Sequence, residues 1–402
     1  MPSLVGSEMC IRDRTEADEG MGHVVPWSGF IALALEHGYE VHMGAPDVGL
    51  LNTHLGECHP KVGIWSSPCL GKNAQSIEHS FSVTSWSELL VSLGYADAKA
   101  LIGAVKAWRS ILTRVEPSVV LADYAPALIL AAKSLNVPVF EVGNGFCVPP
   151  LTPEQECFPG IKNRDEHALT SANAQLVRAY NECLGFFGSR RISAFAETKD
   201  WPVARVVMSP HELDPYGLRV GVVYAGLLQS TANNDSRQSI KNWPPIVGYL
   251  KSSTPGLSSL IEQMVVANVD ALIYIPGKQT NEGQRQGSVT FTNKPIDLQC
   301  ALQSANVYLS NGGLSGVGLA LTSGCWPIIV PQQAEQVATV RNLVKRDWGG
   351  LWMPGMKIDV EISDAHRQKL RRLQKAGSEI RLLQLVQKIT HHKLVPSTEA
   401  IH

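Results

Sequence analysis

Asn311-Gly-Gly-Leu-Ser-Gly-Val-Gly-Leu-Ala-Leu-Thr-Ser-Gly-Cys-Trp-Pro-Ile-Ile-Val-Pro-Gln-Gln-Ala-Glu-Gln336 sets out, in order, a Gly-rich turn, a helix-forming run, a short apolar strand and an acid-amide pair. Gly312 and Gly313 let the backbone come close to an anionic group, and the amides opening the next helix, read over Val317 to Ser323, face that anion with partial positive charge. A diphosphate suits such a place. Gly324 ends the helix, Ile328 to Val330 reads as a buried strand, and Glu335-Gln336 reads as a loop beyond its carboxyl end. Ligands of open α/β sheets bind at that edge.

The same stretch resembles the donor motif of family 1 glycosyltransferases, the UDP-glycosyltransferase superfamily, in particular the bacterial macrolide and flavonoid type. That motif reads H-x-G-x-x-S/T-x-x-E-A-L-x-x-G-x-P with P-x-x-x-D/E-Q downstream. Gly312, Gly313, Ala320, Leu321, Gly324, Pro331, Glu335 and Gln336 fall in register. Asn311 stands where the family has a phosphate-binding His, Gly316 where it has Ser or Thr, and Leu319 where it has the ribose-holding Glu. Pro327 comes one residue late, after Trp326. An amide at 311 can still donate a hydrogen bond but carries no charge. The resemblance implies donor contacts from Asn311, Gly312, Gly313, Ser315 and Gly316, with Glu335 and Gln336 on sugar hydroxyls. It adds Ser252, because Lys251-Ser252-Ser253 lies where the family has a Gly-Ser or Gly-Thr near the phosphates. Lys251 either restores the missing positive charge or is a solvated lysine.

At 402 residues the chain suits two domains. A net charge of −1 gives no long-range pull toward nucleic acid or anionic membrane, and no basic face is evident in the sequence. The longest apolar stretch, 119–132, is broken by Asp123 and Pro126 and is too short to span a bilayer, so no transmembrane segment is expected. Eight scattered cysteines without a C-x-x-C pair point to a reduced, cytoplasmic setting. No metal is expected: His54, Cys58 and His59 match no strong zinc spacing, and no D-x-D occurs. The glycines at 313, 316 and 318 reverse the dinucleotide fingerprint, which argues against NAD.

Met9-Cys-Ile-Arg-Asp-Arg14 resembles translated read-through of a sequencing adapter, so residues 1–14 read as a non-native scar. On that reading the first strand of the N-terminal sheet is missing, since Ser7 to Arg14 is too charged to be buried on both faces. From Pro26 onward helices and strands alternate. Helices are expected over 28–36, 96–114, 125–135 and 165–187, and strands over 39–44, 119–122 and 137–142, with a loop over 65–72. A second series has strands at 246–250, 271–275, 289–292 and 307–310. This is βαβ grammar with mostly parallel sheets. The boundaries expected are an N-terminal acceptor-binding domain at 15–229, a polar linker at 230–243, a nucleotide-sugar domain at 244–360 and a C-terminal helix and tail at 361–402. The apolar positions Leu370, Leu373, Ile380, Leu383 and Val386 mark that helix, which in the family often crosses back to the first domain.

Gly20-Met-Gly-His23-Val-Val-Pro26 resembles the family loop that carries a catalytic His. An alcohol is a weak nucleophile until its proton leaves, and an imidazole suits that task near neutral pH. His23 is therefore the expected base, or else a loop His bonded to its own turn. Asp123 aligns with the acid that orients this base; the alternative is an N-cap for the next helix. Taken together, the resemblance implies the GT-B arrangement, two Rossmann-like domains facing across a cleft. It further implies inverting, metal-independent sugar transfer from a UDP- or dTDP-sugar co-substrate to a small-molecule acceptor hydroxyl, with no cofactor. The rival expectation is a catalytically inactive relative that binds a sugar nucleotide or a partner, suggested by Asn311, Gly316 and Leu319.

Overall fold

The computed structural model describes residues 3–6, 27–45, 48–49, 55, 60–68, 70, 83–152, 157–159, 165–226, 243–276, 283–358, 366, 370 and 382–388. Contacts divide the chain into Met1–Ala232 with Gly377–His402, and Asn233–Ala376.

In the first unit the elements are β1 (Ser3–Gly6), α1 (Trp27–Glu36), β2 (Glu40–Ala45), β3 (Val62–Ser66), α2 (Trp86–Ser92), α3 (Ala98–Val115) and β4 (Val119–Asp123). There follow α4 (Pro126–Ser134), β5 (Val139–Gly143), α5 (Glu166–Phe186), β6 (Ala204–Val207) and β7 (Val223–Tyr224). Every strand pairing is parallel, in the order β3-β2-β1-β4-β5-β6-β7. The chain winds one way from β1 and then the other way from β4, which puts a topological switch point between those two strands.

Two expectations change here. The central strand position, expected to be empty, is filled by Ser3–Gly6, with Leu4 opposite both Val41 and Val119. Its Leu-Val pair is short and uncharged, unlike the Ser7–Arg14 segment that follows, which lies outside the described residues. Trp65 and Ser66, read as loop, belong to β3, because Val62–Ser66 runs in parallel register with Val41–Ala45. The core below this sheet joins Trp27, Phe30, Ile31 and Ala34 of α1 to Val41, Met43, Val119, Leu121, Phe140 and Val142. Leu382, Leu383 and Val386 enter the same core, so the described part of the C-terminal helix does pack on the first unit.

The second unit holds β8 (Ile246–Tyr249), α6 (Leu257–Val266), β9 (Ala271–Tyr274), β10 (Arg285–Gln286), β11 (Val289–Thr292), α7 (Leu298–Ser304) and β12 (Val307–Ser310). It ends with α8 (Leu314–Ser323), β13 (Trp326–Ile329), α9 (Ala334–Arg346) and β14 (Gly350–Leu351). The order is β10-β11-β9-β8-β12-β13-β14, parallel throughout except for the edge pair β10–β11. Its switch point lies between β8 and β12. Pro327 is tolerated inside β13 because pairing with β14 starts only at Ile328. No helix among the described residues is long and apolar enough to cross a membrane.

Candidate functional site

Three loops leave the carboxyl ends of β8, β12 and β13, and Asn311 joins them. Its side chain is buried, and its Nδ2 donates to the Val330 carbonyl at 2.9 Å and to Thr254 Oγ1 at 3.0 Å. Its Oδ1 accepts the Lys251 backbone N–H at 2.9 Å, with Thr254 Oγ1 at 3.3 Å. A carbonyl can only accept and a backbone N–H can only donate, so these two partners fix which way the amide points. Both N–H groups are thereby used. The hydrogen bond to phosphate expected from Asn311 is not available as the side chain stands.

Beside it, Gly312 takes φ 97, and a Cβ there would come within 2.7 Å of Ile329 Cγ2 and 3.3 Å of Gln336 Cβ. Only glycine fits a left-handed turn under that contact. The Gly312 N–H is held by Ser310 Oγ at 3.2 Å. Gly313 caps α8, which begins at Leu314 and not at Val317, so the helix-opening amides belong to the residues directly after the turn. Gly313 and Ser315 are exposed, and a Cβ on Gly313 would meet nothing within 4 Å.

Gly316 has a different reason to be glycine. A Cβ there would lie 2.5 Å from Tyr308 Oη, so the phenol fills the space that Ser or Thr would need. Tyr308 is buried, which pushes its pKa up and keeps the hydroxyl protonated; Ser310 hydrogen-bonds it. Leu319 likewise packs against the cluster that contains Tyr308 and Ala320. Gly316→Ser, which introduces the motif's residue, should therefore cost about 1–3 kcal/mol through overpacking, and Tyr308→Phe in the same chain should return most of it. Denaturant melts of the two single variants and the double variant check this; a harmless Gly316→Ser would refute it.

Glu335 and Gln336 sit in the first turn of α9, not on a loop. Gln336 Oε1 accepts the Gln332 N–H at 2.7 Å, which ties the first turn of the helix back to the loop before its cap residue Gln333. Gln332 Nε2 in turn reaches Ser253 Oγ at 3.3 Å, linking this turn to the β8 loop. Ser252, next to Ser253, is exposed on that loop.

At the first unit's switch point, Asp123 ends β4 and is buried, accepting Trp27 Nε1–H on Oδ2 at 3.2 Å. It does not cap α4: Ala125 is the cap residue, without a side-chain bond, and Pro126 opens the helix. The next residue, Tyr124, holds φ 52, a strained conformation for a bulky side chain and one that clusters at functional sites. That turn sends the ring against Trp86, centroids 5.3 Å apart. A Cβ on Gly143 would come 3.3 Å from Asp123 Oδ1, so the bare glycine leaves the carboxylate room. A small cavity of about 50 Å³ lies against Tyr124, lined also by Trp86, Glu141, Tyr180, Phe195 and Trp201. Glu141 pairs with Arg205 at 2.5 Å.

His23, His54, Cys58 and His59 lie outside the described residues. Among the described residues no cluster of His, Cys, Asp or Glu could hold a metal. A local basic group does exist, which the sequence alone did not reveal: Lys106, Arg109 and Arg114 line one face of α3. They stack over Phe186, Phe187 and Trp65, with centroid distances of 4.3, 4.6 and 5.8 Å.

No protein-family model matches the chain, and no curated protein matches its sequence. Solved structures match closely in shape. The glycosyltransferase of kitacinnamycin superposes with a TM-score of 0.69 at 16% identity, over 96% of this chain and 98% of that one. CalG4, the calicheamicin glycosyltransferase, gives 0.66 at 15% over 98% and 100%. SsfS6 from Streptomyces sp. SF2575, solved with thymidine diphosphate, gives 0.60 at 16% over 96% and 99%. At such identities the likeness carries the fold, GT-B with two Rossmann-like units and mostly parallel sheets.

Proposed function

We propose that this protein is a glycosyltransferase that moves a sugar from a UDP- or dTDP-sugar to a hydroxyl of a small-molecule acceptor, with inversion and without a metal. The observation that carries the reading is the cradle at the β8/β12 switch point, where the Gly312 turn, the start of α8 and the Lys251–Thr254 loop converge. A diphosphate there meets the backbone amides of Gly313 to Ser315 and the positive end of a helix dipole, which supply charge without a metal. Ser252 and the remaining amide of Gln336 are the neighbouring polar groups.

The acceptor side belongs to the first unit. β1 and β4 are neighbours, and Asp123 ends β4 at the carboxyl edge they share; His23 falls between β1 and α1 in sequence, outside the described residues. In the proposed step, the acceptor oxygen attacks the anomeric carbon from the face opposite the diphosphate. Its proton passes to His23, and the bond to the diphosphate breaks with the electron pair leaving on oxygen. Asp123 stabilises the imidazolium. One neighbour was solved with its spinosyn aglycone bound.

One set of observations favours a second reading, a non-catalytic member that only binds. All three departures from the motif have internal work: Asn311 ties loops, Gly316 admits Tyr308, and Leu319 packs. Calorimetric titration of UDP and dTDP, run beside a turnover and donor-hydrolysis assay on a panel of phenols and macrolides, separates the two. Binding with turnover supports the transferase; binding alone supports a sugar-nucleotide-binding protein without activity; no binding refutes both and leaves the partner-binding form of the second reading. Turnover should persist in excess chelator, and loss rescued by magnesium or manganese would overturn the metal-free mechanism.

A further inference from the structure

The position that would hold a phosphate-binding histidine is here occupied by a residue whose bonds all run inward. Asn311 connects segments far apart in sequence: Thr254 lies 57 residues before it and Val330 19 residues after. Sheet pairing between β8 and β12 ends at Tyr249↔Ser310, and beyond that pair the bonds from Asn311 to Lys251 and Thr254 tie the β8 loop to the Gly312 turn. The loops are exposed at Ser252, Ser253 and Gly313, so little apolar packing locks them from above. Beneath them, Thr254 and Asn311 form a buried polar junction with every amide atom satisfied.

We infer that Asn311 is a positioning residue for the donor site: it does not touch the nucleotide but fixes the Lys251–Thr254 loop against the Gly312 turn, so that the amides and hydroxyls of both are aimed at one diphosphate. This rests on the donor-site reading above. The argument is one of preorganisation. A ligand that must order two loops on binding loses affinity to that ordering, whereas a site held in place by its supporting shell does not. Thr254 shares the role, since its hydroxyl both accepts from Nδ2 and approaches Oδ1. Gln332 adds an outer strut from the β13 loop to Ser253.

The inference reverses what the family position suggests. A histidine at 311 can place one ring nitrogen where the amide offers two polar atoms, so it keeps at most one of the bonds to Val330 and Lys251. It must also fit a ring where the side chain is only 6% exposed. Asn311→His should then weaken nucleotide binding. Asn311→Asp is isosteric but sets a carboxylate oxygen against the Val330 carbonyl, and it brings negative charge beneath the cradle.

The test is calorimetric titration of UDP and of dTDP, well below each variant's melting temperature, on wild type, Asn311→Ala, Asn311→His, Thr254→Val, Thr254→Ser and the Asn311→Ala/Thr254→Val double. Each of Asn311→Ala, Asn311→His and Thr254→Val should raise Kd by about tenfold, the loss of roughly one hydrogen bond's worth of preorganisation. Thr254→Ser should stay near wild type, and the double should be little worse than Asn311→Ala alone, because both act through one junction. If Asn311→Ala does not fold, the Thr254 pair carries the same comparison. Tighter binding by Asn311→His, or unchanged Kd in folded Asn311→Ala and Thr254→Val, overturns the positioning role and leaves the donor site standing. Absence of nucleotide binding by wild type removes the donor site and the inference with it.

Discussion

His23→Ala is expected to lower turnover by about 10² to 10⁴ while nucleotide affinity stays near wild type, because a general base acts on the acceptor in the transition state. Asp123→Asn should lose rate by a smaller factor. Its amide keeps an oxygen that can accept the Trp27 indole N–H, so the turn after β4 and the melting temperature should be preserved. What it loses is the charge that stabilises a protonated imidazole. The pair of measurements is kcat from product formation and Kd from UDP titration. A His23→Ala protein with wild-type turnover rules out His23 as the base. An Asp123→Asn protein that melts early but turns over normally when folded assigns Asp123 to structure alone.

The second unit's switch point is legible in the sequence because it depends on short apolar runs closed by turn residues, whereas the first unit's is not, because β1 (Ser3–Gly6) falls in a segment read as non-native. Val289–Thr292 and Val307–Ser310 form strands residue for residue as read, and Gly324 ends α8 in the left-handed conformation it favours. The start of α8 is not legible. Gly316 and Gly318 each lower helix propensity, so the pattern places the start at Val317; what holds the first turn as helix is the capping turn at Gly313. That Gly316 must stay small depends on Tyr308, folded beneath it from the preceding strand. The position of Asn311 is legible and its role is not, since its partners arrive from two other loops, after β8 and after β13, and no local spacing announces them. The acid-amide pair is misplaced for a related reason. The helix starts at Ala334, two residues after the apolar strand run ends in Pro331-Gln332, and Gln336 bonds back to the Gln332 N–H. On the first unit, β6 and β7 escape the reading because each is short; β5 fixes β6 by pairing, through Val142↔Val206, and β6 in turn fixes β7, through Val206↔Val223.

Arg219→Met is expected to destabilise the first unit by about 3–5 kcal/mol, the cost of breaking a buried ion pair from one side. The Arg219 side chain is 5% exposed and the Asp214 side chain 0%. The two meet through Nε at 2.9 Å and Nη2 at 2.7 Å, a two-point contact that a lysine could not reproduce. Arg219 also donates to the carbonyls of Val148 at 2.5 Å and Gly145 at 3.3 Å, while Asp214 accepts the Tyr224 hydroxyl at 2.8 Å and the Tyr216 N–H at 2.9 Å. Removing the cation therefore strands a fully buried carboxylate and two carbonyls at once. For a unit of this size the melting temperature should fall by about 6–20 °C. The loop so released begins two residues after Gly143, which faces Asp123, and includes Cys147 in the wall of the aromatic cavity. Acceptor KM should then rise more than nucleotide Kd. Asp214→Asn leaves the cation buried without its partner and should cost about as much, whereas Asp214→Asn with Arg219→Met should cost clearly less than the sum of the two, because neither charge is then left alone. Thermal melts of the three variants decide the energetics: strictly additive losses would mean that the two residues stabilise the fold independently and that the ion pair itself contributes nothing.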